Sequence, residues 1–140
     1  MSAPGGPDAR RRAFTLLETV VALAVVAVLL ALAIPGYQRY QQRAERAEAV
    51  RQLLAMAACQ QRVRANTGYF DTTRCLAAPA SNAYAYRIEP EGETASLVFS
   101  LRAEPANPAQ AGRCGTLSLD HAGTRGIGGD GRLRDCWGGR

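Results

Sequence analysis

The sequence predicts an α+β fold: a long N-terminal helix, its first half fit to cross a membrane, packed on a small antiparallel β-sheet. Three observations carry this. Residues 19–34 are almost wholly aliphatic. Beyond Pro35-Gly36 apolar residues recur every three or four positions, the helical period. From Tyr84 onward the period falls to two, the mark of half-buried strands, and four cysteines are spread over residues 59–136.

Residues 1–13 have no periodicity and end in Arg10-Arg11-Arg12-Ala13. They read as a leader. From Phe14 to Ile34 a helix would be about 31 Å long at 1.5 Å per residue, enough for a bilayer core. The three arginines on its N-terminal flank predict a cytoplasmic N-terminus and an outward-facing remainder. In residues 35–66, Tyr37, Tyr40, Ala44, Ala47, Val50, Leu54 and Ala57 form the predicted apolar stripe, with arginines, glutamates and glutamines behind it. Pro35 removes an amide and predicts a bend. The Asn66-Thr67-Gly68 cluster predicts the helix end.

Residues 67–140 are the predicted β-domain. Tyr84, Tyr86 and Ile88 alternate with Ala85 and Arg87, and Leu97, Phe99 and Leu101 with Ser96, Val98 and Ser100. Pro90-Glu91-Gly92-Glu93-Thr94 between them predicts a hairpin. A third strand is expected over residues 115–119 after a loop at 104–113, and Leu133 to Trp137 is expected to return as an edge segment.

Cys59, Cys75, Cys114 and Cys136 include no C-x-x-C spacing, and His121 is the sole histidine, too few nitrogens for a usual zinc set. No metal and no cofactor are expected. An even cysteine count behind a membrane signal predicts two disulfides. Three pairings are possible; sequence neighbours, Cys59 with Cys75 and Cys114 with Cys136, are favoured. Each closed loop would contribute about 3 kcal/mol in the chain-entropy model, which matters for so small a core.

No catalytic residues are expected. Ser118, Asp120 and His121 lie close in sequence, but no nucleophile elbow surrounds any serine. Residues 126–131 match G-x-G-x-x-G as a string, without room for the helix and acid a dinucleotide site needs. All 17 basic residues are arginine, and without residues 1–13 the 14 remaining arginines against 11 carboxylates leave a charge of +3. That is mild for a dedicated nucleic-acid binder. Arg125, Arg132, Arg134 and Arg140 nevertheless crowd the C-terminal end, where DNA is a candidate partner. Trp137 reads as a partly buried anchor beside the second disulfide.

Glu18 is the anomaly, because a carboxylate inside a membrane helix costs about 2.5–3.5 kcal/mol at its centre on insertion scales. Small Ala13, aromatic Phe14, acidic Glu18 and Pro35 stand in a fixed order. Ala13 | Phe14-Thr15-Leu16-Leu17-Glu18 … Ile34-Pro35 resembles the type IV pilin family, whose leader ends in Gly where this chain has Ala13. The resemblance implies cleavage between Ala13 and Phe14 by a prepilin peptidase, N-methylation of Phe14, and pairing of Glu18 with the Phe14 ammonium of a neighbouring subunit. It implies other pilin subunits and the inner-membrane assembly machinery as partners. Cys59-Gln60-Gln61-Arg62, Gly68-Tyr69, Cys114 to Leu119, Gly123 and Cys136-Trp137 are similar to a PilE-type minor pilin. The implied function is that of a structural minor pilin in pilus assembly or initiation, and hence in twitching motility, adhesion or DNA uptake. The subunit would sit in the inner membrane and then in an extracellular pilus. The alternatives are a type II secretion pseudopilin, with Asp120, Asp130 and Asp135 as scattered calcium-type ligands, and a DNA-binding competence pilin. A secretory signal ending at Ala31-Leu32-Ala33 is a further rival, but it leaves Glu18 inside an overlong apolar region.

Overall fold

The computed structural model describes residues 14–76, 82–91 and 97–139. Residues 1–13 with Ala13, residues 92–94 of the expected turn, and Arg140 lie outside the described residues. The element order is α1 (Leu16–Thr67), β1 (Tyr84–Pro90), β2 (Phe99–Pro105), α2 (Pro108–Ala111), β3 (Leu117–Asp120), β4 (Arg125–Ile127) and α3 (Leu133–Cys136). The chain forms two compact units divided after Arg39.

In the first unit α1 carries an 18-residue window of mean hydropathy 2.7 with no residue buried, long and apolar enough to cross a membrane. Pro35 lies inside the helix.

In the second unit α1 ends where Gly68 takes φ +86° and its amide bonds the Arg64 carbonyl at 2.7 Å. This is a left-handed glycine cap, a conformation other residues adopt only at a cost. The strands form one antiparallel sheet in the order β1-β2-β3-β4. Phe99, Leu101 and Ala103 of β2 and Leu117 and Leu119 of β3 share its buried face, with Leu101 opposite Leu119 and Ala103 opposite Leu117. Against them pack Ala49, Leu53 and Met56 of α1, Phe70, Tyr84 and Trp137. Phe70 meets Phe99 edge-on at 4.7 Å between ring centres.

Four expectations are corrected. The buried face of α1 is Ala49, Leu53, Met56 and Gln60, with Val50 and Ala57 beside it, so the expected stripe is rotated; Leu54 is 42% exposed and Ala44 is exposed. Alanines occur all round this helix, so apolar spacing alone could not choose the face. Strand β2 starts at Phe99, leaving Leu97 49% exposed. The expected loop at 104–113 holds α2, whose Asn107 side chain accepts the Gln110 amide at 2.8 Å with proline at its start. The expected edge segment at Leu133 to Trp137 is the helical turn α3; the last strand is β4, within the glycine-rich stretch.

Cys59 is bonded to Cys75 and Cys114 to Cys136, the sequence-neighbour pairing. The first disulfide works beside Gln60, which is fully buried. Its amide nitrogen donates to the carbonyls of Asp71 at 2.6 Å and Arg74 at 3.0 Å, and its oxygen accepts the Asp71 amide at 3.1 Å. Together they hold the loop after α1, in which Cys75 has a left-handed φ of +69°.

Candidate functional site

Two regions carry the residues singled out by sequence. The first is the start of α1. Phe14 is exposed, and Thr15 caps the helix: its hydroxyl accepts the Glu18 amide at 3.2 Å and its carbonyl the Thr19 amide at 3.2 Å. Glu18 therefore stands at the third helical position, where a carboxylate meets the positive end of the helix dipole. The spacing Thr15-x-x-Glu18 is a capping-box signature, a signal the sequence reading passed over. The position therefore favours a carboxylate on local grounds.

The second region is the arginine surface of the domain. Arg125 is on β4, Arg132 is at the start of α3 and Arg134 is within α3. The Arg125 guanidinium lies 5.3 Å over the Trp137 ring, and the Trp137 N–H donates to the Gly126 carbonyl at 3.1 Å. Arg134 is exposed on α3. Neither forms an ion pair with a described residue, whereas Arg87 pairs with Glu104 at 3.1 Å and Arg102 with Glu89 at 3.0 Å across the sheet.

Arg132 instead joins Arg43, Arg46 and Arg113 around a concavity of about 540 Å³, with the Cys114–Cys136 disulfide in its wall. Sequence reasoning missed Arg43, Arg46 and Arg113. The signal was the cysteine pairing, since joining Cys114 to Cys136 brings Arg113 beside Arg132. The glycine-rich stretch makes the approach possible. Gly129 and Gly131 donate to the carbonyls of Cys114 and Arg113 at 3.1 and 2.7 Å, and a side chain at Gly129 would collide with the Arg113 carbonyl. Arg113 pairs with Asp130 at 3.6 Å and Arg132 with Asp135 at 3.3 Å, both exposed and worth at most about 1 kcal/mol.

On the solvent side of the sheet, a concavity of about 400 Å³ is lined by hydroxyls of Ser100, Thr116, Ser118 and Thr124. Burial pushes the Asp120 carboxyl beside it up, but hydrogen bonds from Thr124 and Ala122 and the nearby His121 outweigh this, so it is held below the usual aspartate value. Asp71 is likewise lowered, mainly by hydrogen bonds from Thr73. Among the described residues no group of three or more His, Cys, Asp or Glu side chains could hold a metal ion.

The family described as "Type IV minor pilin ComP, DNA uptake sequence receptor" matches residues 35–118. The chain belongs to this family. The prokaryotic N-terminal methylation motif matches residues 8–34. A solved type IV pilin from Shewanella oneidensis is 32% identical, with a TM-score of 0.51 over 60% of this chain and 89% of that one. The long N-terminal helix with a small four-stranded antiparallel sheet is thus the type IV pilin fold. This minor pilin is a membrane-anchored subunit that is assembled into a pilus, where it interacts with other pilins and with the assembly machinery. The family is one of structural pilins, not known as enzymes.

Proposed function

We propose that this minor pilin captures DNA for uptake through Arg125, Arg134 and their surroundings at the C-terminal end of the domain. The observation that carries the proposal is Arg125 lying over a Trp137 ring pinned by its N–H, with no carboxylate partner among the described residues. Stacking on a pinned ring restricts the side chain in advance, so less entropy is lost when the guanidinium meets a phosphate. Arg134 adds a second charge with no ion pair among the described residues, and Arg132 and Arg140 flank it in sequence. The family's description as a DNA uptake sequence receptor supports the same reading. Duplex binding by the oxidised, detergent-solubilised chain should weaken as salt rises. Arg125→Ala and Arg134→Ala should each flatten the log–log salt slope by about 1. Unchanged slopes in both variants would remove DNA from this surface.

The leader chemistry belongs to the same proposal. Residues 1–13 are removed between Ala13 and Phe14, Phe14 is N-methylated, and residues 14–34 span the inner membrane with the N-terminus cytoplasmic. Residues 35–66 form the amphipathic half of the helix and 67–140 the stapled β-domain outside. In the fibre Glu18 pairs with the Phe14 ammonium of a neighbour, and Pro35 lets the helix adjust to its packing. The methylation motif over residues 8–34 supports this reading. Intact mass of the protein from its native membrane should correspond to a chain beginning at N-methyl-Phe14; a chain beginning at Ile34 would refute it.

A further inference from the structure

The concavity lined by Arg43, Arg46, Arg113 and Arg132 plays no part in the proposed DNA surface beyond sharing Arg132, yet it is built with care. Arg43 and Arg46 are three residues apart on α1 and project from one side of it. Helix α2 is held on α1 by the buried Gln110, whose amide donates to the Gln42 carbonyl at 3.3 Å. The following Gly112 ends α2 with φ +50° and lies in ordinary contact range of the Arg46 guanidinium. The second disulfide and the Gly131–Arg113 backbone bond fix the opposite wall.

Its charge is not balanced. The carboxylate in the wall, Asp135, is taken by Arg132, and the Arg113 partner Asp130 is on the exposed side. Arg43 and Arg46 form no ion pair with a described residue, and Arg46 Nε is buried without a hydrogen-bond partner. Arg46 is half-buried while Arg43, Arg113 and Arg132 are exposed, and four guanidinium groups around one concavity repel one another and are stabilised by an anion that accepts from several at once.

Beside the cationic lobe, a second concavity of about 290 Å³ continues along Arg43 and Arg46 and is walled by Ala47, Val50 and Trp137. A phosphodiester backbone has nothing to fill that apolar lobe. A peptide segment with an acidic residue next to an apolar one fills both. In a pilus the neighbours of this subunit are other pilins.

We propose that this two-lobed groove receives an acidic-plus-apolar segment of a neighbouring pilin subunit and so fixes the place of this minor pilin in the fibre. Two variants separate the lobes: Arg43→Gln/Arg46→Gln removes the unpaired charges, and Ala47→Phe fills the apolar lobe without changing charge. Each should lower the amount of subunit in sheared pili, relative to the membrane pool, by about tenfold or more. Each should keep both disulfides and the salt slope of DNA binding. A photo-crosslinking residue at position 47 should capture a pilin. Wild-type incorporation of both variants would overturn the proposal. So would normal incorporation of the arginine variant with a salt slope flattened by about 2, which would make the groove a nucleic-acid site. Incorporation of the unaltered chain, measured in the same fractions, tests the pilin reading by itself.

Discussion

Replacing Gln60 by leucine should destabilise the domain by about 2 kcal/mol, although every apolar contact of α1 with the sheet is kept. The change strands two carbonyls, of Asp71 and Arg74, and the Asp71 amide. Asp71 is half-buried and Arg74 exposed, so water recovers part of the loss. At about 1 kcal/mol for each group the cost is roughly 3 kcal/mol. The extra apolar surface of leucine returns about 1 kcal/mol. A net 2 kcal/mol in a domain of this size lowers Tm by roughly 10 °C. Chemical denaturation of the oxidised, detergent-solubilised chain measures it directly.

The same loop is closed by Cys59–Cys75, so the two clamps should not act independently. Cys75 has φ +69°, a conformation that costs a non-glycine residue about 1 kcal/mol or more and persists only while the loop is held. In a Cys59→Ser/Cys75→Ser background the loop frays and Gln60 loses partners before any substitution is made. Gln60→Leu should then cost less than about 1 kcal/mol, giving a coupling energy of about 1 kcal/mol or more. If Gln60→Leu lies within 0.5 kcal/mol of wild type, or if the two changes add, the loop is not held in this way.

Two further outcomes follow from the charged groups. Glu18→Gln keeps a residue suited to the capping position while removing the charge, and Glu18→Ala removes both; if the charge sets the register, both should reduce incorporation into sheared pili equally, and wild-type incorporation of Glu18→Gln would sink that role. Because the folded Asp120 carboxyl titrates below its unfolded value, its stabilisation is present above about pH 4 and lost as pH falls through the folded value. The stability difference between wild type and Asp120→Asn should therefore still be present at about pH 5 and shrink by about pH 3, and a difference independent of pH would contradict it.

What was legible in the sequence was whatever repeats. The aliphatic run, the β1–β2 alternation and the change of period at Tyr84 each involve many residues obeying one rule. The rotated stripe of α1 shows the limit of that logic. With alanine at 44, 47, 49, 55, 57 and 58, small apolar residues lie on every side, and the true face includes a glutamine. Gln60 is buried because the loop after α1 folds over it and offers backbone groups, a partner that no spacing within the helix reveals. α2 and α3 are single turns whose residues are held by a cap, a disulfide and one indole hydrogen bond, so no period exists to be read. Likewise the four-arginine groove unites residues 43 and 132, which only the fold and a disulfide bring together.

The glycine-rich stretch shows how closely stability and surface are joined in so small a domain. As a string, residues 126–131 resemble a nucleotide-binding loop; in the fold they run against residues 113–118. Gly126 leaves room for the Ser118 side chain, and Gly129 and Gly131 leave room for the Arg113 carbonyl. The same stretch, residues 125–137, closes the core with Trp137 and carries Arg125, Arg132 and Arg134. A longer domain could keep a mobile binding loop apart from its core. Here the loop is the edge of the sheet and the wall of the groove, so its glycines serve close packing first, and the positions of the arginines follow from that packing.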